Sequence, residues 1–249
     1  MSRWKAAGIH FCLSVVLVTL VFLALIALWY PPELWRMASV AGLVMILASV
    51  DVTLGPLLTL AVFKPGKRGM KFDLSVIALL QIAGLAYGLY VMFQSRPVFL
   101  VAVSDRFELV YANQIDKEDL KLGAPGFNKL GWFAPKRAGA KMPSDVKGHN
   151  KRMREVMAGS KLEQSPKYFV PYVEVASELR SRAWIINETP SQDFDKSVLR
   201  RVQEQGIAPK EVVYVDLASS RGWAGMLLDA KTGAIIGPIN VDPFVRDRK

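Results

Sequence analysis

Ile9-His-Phe-Cys-Leu-Ser-Val-Val-Leu-Val-Thr-Leu-Val-Phe-Leu-Ala-Leu-Ile-Ala-Leu-Trp-Tyr30 is an apolar run without a formal charge, and its length decides the fold class. A helix rises about 1.5 Å per residue, so roughly 20 apolar residues cross the ~30 Å of bilayer hydrocarbon. The apolar core of a cleaved signal peptide is shorter, about 7 to 15 residues, and is followed by a small-x-small site; neither trait is found here, so the run reads as a retained span. Outward from it, Met37 to Phe63 makes a second span, interrupted only by Asp51 and by Gly55-Pro56, a pair that predicts a bend. Phe72 to Phe93 makes a third.

The rest of the chain differs in kind. Of 249 residues 51% are hydrophobic and the formal charge is +10, a balance that suits a mosaic of lipid-facing and water-facing parts. The apolar residues crowd into the first third, and Arg96 to Lys249 has ordinary charge and enough length for its own core. The expected architecture is a membrane protein: a three-helix transmembrane bundle within 1–95 (helices at about 9–30, 37–63 and 72–93), then an α+β extracytoplasmic domain over 96–249. Orientation follows the positive-inside bias. Arg3, Lys5, Lys64, Lys67, Arg68 and Lys71 gather on one side of the spans, against Arg36 and Arg96 on the other. The bias places the amino terminus in the cytoplasm and the carboxy-terminal domain outside, in the periplasm of a cell with two membranes. Trp29, Tyr30 and Trp35 are expected at the outer interface and Trp4 at the inner one. The basicity is thus shared between topology and the outer domain and does not argue for nucleic acid as a partner.

Within the membrane one residue is costly. Asp51 falls near the middle of the second span, where an ionised carboxylate costs about 2.5 to 3.5 kcal/mol. Counted from the helix ends, Thr19 and Gln81 come to the same depth. Asp51, Gly55 and Thr59 share one face of the second helix, beside Pro56. Gln81, Gly84 and Gly88 share a face of the third, with a small-xxx-small spacing that permits close approach. Two readings stand. Asp51 and Gln81 can hydrogen-bond inside the bundle at about 0.6 to 2 kcal/mol, or Asp51 can receive a polar or cationic group from a partner's helix.

In the second region Val98 to Val103 and Phe107 to Ala112 flank Ser104-Asp105-Arg106 as a hairpin. Leu122 to Gly148 is dense in Gly and Pro and reads as loop. Helical patterns cover Asn150 to Ala158, Val170 to Arg182 (entered through Pro171) and Ser191 to Gln205. Strands return at Glu211 to Leu217, Trp223 to Leu228 and Ala234 to Ile239, the last two joined by the tight turn Asp229 to Gly233. The basic stretch Lys147, Lys151, Arg152, Arg154 reads as a solvated helix face, or as a contact for anionic lipid. Tyr168, Phe169 and Tyr172 around Pro171 form either an anchor for a protein partner or a plug for the domain's own core.

Catalytic chemistry is thin. His10 and His149 lie away from acidic or cysteine residues at metal-ligand spacing, and Cys12 is the single cysteine. Walker, dinucleotide and nucleophile-elbow motifs are missing, and Asp193 with Asp195 is too common a pair to signal catalysis. The expectation is no catalytic residue, no metal and no cofactor. An envelope enzyme modifying a cell-envelope polymer is the alternative, and a tethered sensor has only the short Lys64 to Lys71 loop to signal through. The sequence carries no indication of oligomeric state.

Several stretches resemble a known family. Met1 to His10, Val50-Asp-Val-Thr-Leu-Gly-Pro-Leu-Leu-Thr59, Phe63-Lys-Pro-Gly-Lys-Arg-Gly-Met-Lys-Phe-Asp-Leu74 and Ala78-Leu-Leu-Gln-Ile-Ala-Gly-Leu-Ala-Tyr-Gly88 are similar to the TfpX/TfpZ type IV pilin accessory proteins. Lys167 to Tyr172 and Leu227 to Gly233 fit the same pattern, and Asp242-Pro243-Phe244 stands where the family often has Asp-Pro-Trp. The resemblance implies an inner-membrane helper of a type IV pilin, acting in pilin stability, pilus assembly or pilus dynamics. It implies the pilin as a partner, beside the membrane lipid that the spans already require. A pilin waits in that membrane as one apolar helix with a periplasmic head. The implied arrangement has the bundle meeting the helix, Asp51 meeting its amino-terminal amine, and the outer domain meeting the head.

Overall fold

The computed structural model describes residues 2–30, 34, 35, 37, 38, 40–186, 193–239 and 241. Arg36 and Asp242-Pro243-Phe244 lie outside them. Among the described residues three helices are long and apolar enough to cross a membrane: α1 (Arg3–Leu28), a second span over Val40–Val62, and α4 (Met70–Gln94). The chain is a membrane protein. The second span is composite, with α2 (Val40–Ser49), a π-helical turn (Val50–Leu54) and α3 (Gly55–Val62). Pro56 has no N–H to return to the carbonyl four residues earlier, and the widened turn just before it absorbs the mismatch that a proline imposes on a helix. The bend expected at Gly55-Pro56 therefore takes the form of a π turn, and Asp51 lies in it.

After α4 the chain runs directly into a mixed sheet, in keeping with the α+β expectation. Its strands are β1 (Pro97–Val103), β2 (Arg106–Tyr111), β3 (Lys136–Ala140), β4 (Phe169–Pro171), β5 (Trp184–Ile185), β6 (Val212–Ser219), β7 (Gly222–Asp229) and β8 (Ile235–Ile239). The order among the described residues is β4-β3-β1-β2-β6-β7-β8, with β5 also paired to β6. β1 with β3 and β2 with β6 run parallel, and the other pairs antiparallel. The continuous apolar run of β1 explains its central place, because a strand covered on both faces has no polar side to show. The helices are α5 (Lys117–Lys121), α6 (Val146–Met157), α7 (Val173–Ser181) and α8 (Asp193–Glu204).

Three expectations are corrected. The stretch Leu122 to Gly148 is not all loop, for it holds β3, which pairs with β1 and β4, and the start of α6. Lys136-Arg-Ala-Gly-Ala140 lacks the β-branched and aromatic residues that mark strands. Small residues are needed there because a Cβ on Gly139 would collide with both γ-methyls of Val175 on α7. Second, the helix expected from Val170 starts at Val173, since Phe169–Pro171 is the edge strand β4, a place where proline's missing N–H costs nothing. Third, Tyr30 does not mark a membrane interface. It is fully buried in one core with Leu34, Met37 and Ala38 of the segment linking α1 to α2 and Val40 at the start of α2, together with Phe107, Leu109, Tyr111, Val215 and Leu217 of the sheet.

That linker is the joint between bundle and sheet. Tyr30 donates its hydroxyl to Met92 O at 3.0 Å, while Tyr111 Oη and Ser219 Oγ both donate to Met37 O, at 3.2 and 3.1 Å. The Arg221 guanidinium lies 4.1 Å from the Tyr111 ring centre and donates to Ala38 O at 3.1 Å and Ser95 O at 3.4 Å. Polar side chains of the sheet thereby satisfy backbone carbonyls where two spans enter the core.

The basic stretch on α6 is also corrected. Arg152 is 1% exposed and not part of a solvated face. It donates to Ser160 Oγ and Ser160 O at 2.9 and 3.0 Å and to Glu155 at 3.3 Å. Lys167 Nζ bridges Asp119 and Glu155 at 2.8 Å each, and Tyr168 donates to Glu155 at 2.9 Å. This charge cluster fastens α5 and α6 to the segment before β4. Burial alone would raise the Glu155 carboxyl, but the hydrogen bonds from Lys167, Tyr168 and Arg152 outweigh it and hold the group below its ordinary value of 4.5. Backbone N–H groups of Asp119 and Glu118 lower Asp116, and Thr232 lowers Asp229, both from 3.8. Each of these three contributes stability above its unfolded pKa that is lost as pH falls through the folded one. Glu108, raised by burial against the pull of Arg106, has the opposite sign. The expected result is a sheet domain whose thermal midpoint falls below about pH 4.5 in micelles followed by circular dichroism. Glu155→Gln should flatten that acid limb, and an unchanged limb would count against the cluster's role.

Candidate functional site

Asp51 sits at the midpoint of the 23-residue span Val40–Val62, about 16 Å from either end. Although placed among apolar helices it is 4% exposed, and its Oδ2 has no hydrogen-bond partner among the described residues. Around it stand polar groups from all three spans. Gln81 Nε2 on α4 donates to the backbone carbonyl of Asp51 at 3.3 Å. On α1, His10 Nδ1 lies 2.6 Å from Thr59 Oγ1 on α3, and Ser14 is buried one turn further on. Gly55 makes the cluster possible, because a Cβ there would run into the Gln81 amide and come within 3.0 Å of His10 Nε2. Gly55, Pro56 and Thr59 are all buried at this crossing.

Two cavities open beside the carboxylate. One of about 170 Å³ lies between α1 and α4, walled by His10, Leu13, Ser14, Leu17, Asp51 and Gln81. The other, of about 270 Å³, is a groove between α2 and α4, and Asp51 is its one charged wall. Its other walls are Ile46, Leu47 and Val50 from one side and Gly84, Leu85, Tyr87, Gly88, Val91 and Met92 from the other. From Gly84 to Met92 it extends about 12 Å along α4, from mid-membrane toward the sheet. A Cβ on Gly84 would meet nothing within 4 Å, whereas one on Gly88 would collide with Leu47. The two glycines thus differ: Gly88 seats α2 against α4, and Gly84 leaves the groove hollow.

Of the residues singled out from sequence, Asp51, Gly55, Pro56, Thr59 and Gln81 come together, and Gly84 and Gly88 line the groove. Thr19 does not join them. It is exposed on α1 and donates to its own helix at Val15 O, 2.8 Å away. His10 and Ser14 take its place. The cause is that α1 begins at Arg3, not Ile9, so residues earlier in the chain reach the depth of Asp51. The i, i+4 spacing of His10 and Ser14 was the available signal, since it puts both on one helix face.

The aromatic segment turns toward the chain's own interior. Phe169 is buried, with its ring 5.1 Å from that of Phe99. Tyr172 packs 5.5 Å from Phe107 and donates to Gly233 O at 2.6 Å, and burial pushes its hydroxyl up to about 12. Tyr168 is half-buried in the Glu155 cluster. These rings close the sheet domain, and little of Phe169 is left for any other surface.

Three fimbrial assembly proteins of Dichelobacter nodosus are similar to this chain. Those of serogroups I and E1 are each 24% identical over 249 residues, 96% of this chain and 95% of the relative. That of serogroups C1 and C2 is 32% identical over 120 residues, 47% of this chain and 88% of that protein. No family model and no solved structure matches. Relatives matched along nearly their whole lengths, one of them at 32% identity, place this membrane protein in the family of fimbrial assembly proteins.

Proposed function

We propose that this protein is an inner-membrane accessory factor of the TfpX/TfpZ type that holds a type IV pilin during pilus assembly, its amino terminus cytoplasmic and its sheet domain periplasmic. The observation that carries the reading is the Asp51 carboxylate: one oxygen has no hydrogen-bond partner among the described residues, and it lines an apolar groove between α2 and α4. A buried carboxylate with a spare acceptor is matched by a cation, and an apolar groove in a membrane is matched by an apolar helix. A pilin offers both in one segment, an apolar helix that begins with a free amine. The groove runs toward the sheet, so a helix lying in it directs its following head at the sheet domain. The orientation is supported by the Lys and Arg bias at the opposite end of the bundle, and the assembly role by the names of the relatives.

Asp51→Asn keeps the volume of the side chain and removes its charge. It is expected to reduce pilin recovered with the solubilised protein at least tenfold, since a charged hydrogen-bonded pair contributes roughly 1.5 to 3 kcal/mol. The protein's own level in the membrane should be unchanged. Full recovery with normal piliation would leave Asp51 as packing alone.

A further inference from the structure

The segment between α5 and β3 carries two large rings that neither the core nor the groove uses. Trp132 and Phe133 are 68% and 63% exposed. Their backbone is held on both sides. Phe127 packs between Phe99 and Phe169, at 6.4 and 6.0 Å between ring centres, and Lys136 Nζ donates to Gly126 O at 2.9 Å. Gly131 O accepts two bonds from the Arg96 guanidinium, Nε at 3.1 Å and Nη2 at 2.9 Å. Arg96 is itself only 3% exposed, and its remaining nitrogen donates to Phe93 O at 2.6 Å. The rings are thus presented by a fastened loop.

Their position says what they meet. Trp132 lies 5.3 Å from Phe93, in the last turn of α4, and Phe93 lies 5.2 Å from Trp29, which caps α1. Three rings therefore form a row at the level where two spanning helices end. Indole and phenyl rings at that level partition into the boundary between headgroups and acyl chains. We infer that the loop 131–133 is a membrane-interface anchor, a second attachment by which the sheet domain rests its Trp132 and Phe133 rings in the bilayer surface on the sheet side. Arg96 is the positioning residue. It joins the loop to the end of α4, so the depth of the rings is set by the depth of that helix. The attachment is independent of what the groove holds.

The test uses the full chain in bilayers of phosphatidylcholine and phosphatidylglycerol, with Cys12→Ser removing the one native thiol. A nitroxide is placed through Trp132→Cys, through Phe133→Cys, or through Met157→Cys on α6, a site 85% exposed that serves as the water-facing reference. Collision with a water-soluble nickel chelate is expected to be about tenfold lower at 132 and 133 than at 157, with collision by oxygen equal or higher, the signature of the interfacial region. Adding Arg96→Met should raise nickel access at 133 at least ~3-fold as the loop lifts away. Nickel access at 132 and 133 equal to that at 157 overturns the inference. So does shielding from both reagents, which would mean that protein and not lipid covers the rings.

Discussion

Replacing Gly84 with leucine is expected to cut pilin recovery at least tenfold, about 1.4 kcal/mol, while leaving the bundle intact. The reasoning is steric. A Cβ at Gly84 meets nothing within 4 Å, so the new side chain starts into the groove without a clash at its root, and leucine in place of glycine favours the helix by roughly 0.5 to 1 kcal/mol. The groove has only about 270 Å³, and a leucine side chain there stands where a partner helix would lie. Gly88→Leu is the contrast. Its Cβ would collide with a terminal methyl of Leu47, so a leucine there forces the contact between α2 and α4 to repack, and any loss of recovery would come with a changed thermal midpoint. Pilin recovered in full by Gly84→Leu of unchanged midpoint would remove the groove from the account. The result also separates steric from electrostatic recognition: Asp51→Asn leaves the hollow and removes the charge, and Gly84→Leu leaves the charge and fills the hollow.

What the sequence disclosed follows from how far each signal reaches. Span length is a property of one segment against a slab of fixed thickness, so three crossings could be read without knowing what lay beside them. Asp51 was legible for the same reason, since its cost depends on depth alone. The alternation and turn residues of β6, β7 and β8 are local too, and those strands fall within a residue or two of their expected ends. Failures came where a residue's role was set by something distant in the chain. Gly139 is in a strand because Val175 presses on it. Arg152 looks like one more surface cation in a basic helix, yet it is enclosed by Ser160 and Tyr168, which no helical period reveals. The depth match of Thr19 failed on a six-residue error in where α1 starts, enough to exchange one polar face for another.

The greatest departure concerns the linker from Tyr30 to Val40, and it leads to the second large effect. Aromatic residues at the end of a span suggest an interface belt, but here Tyr30, Leu34, Met37 and Ala38 share a core with the sheet. Bundle and sheet are consequently one packed body, and Arg221 is the side chain that reaches furthest across the joint. It donates to Ala38 O in the linker and to Ser95 O at the end of α4 while lying over Tyr111. Arg221→Ala removes both charge-assisted bonds and strands two carbonyls, at a cost of about 2 to 4 kcal/mol. Hydrogen exchange reads this locally. Ala38, whose N–H is bonded to Leu34 O at 3.0 Å, should exchange on the order of 30- to 1000-fold faster, the same energy expressed as an opening equilibrium. Amides of β7, paired along their length with β6, should change far less. Arg221→Lys restores the charge but not the planar fork that serves two acceptors and lies over a ring, so it should recover only part of the protection. Exchange at Ala38 as slow in Arg221→Ala as in the native chain would mean that the linker is held by apolar packing alone. In that case the guanidinium has no part in coupling the bundle to the sheet.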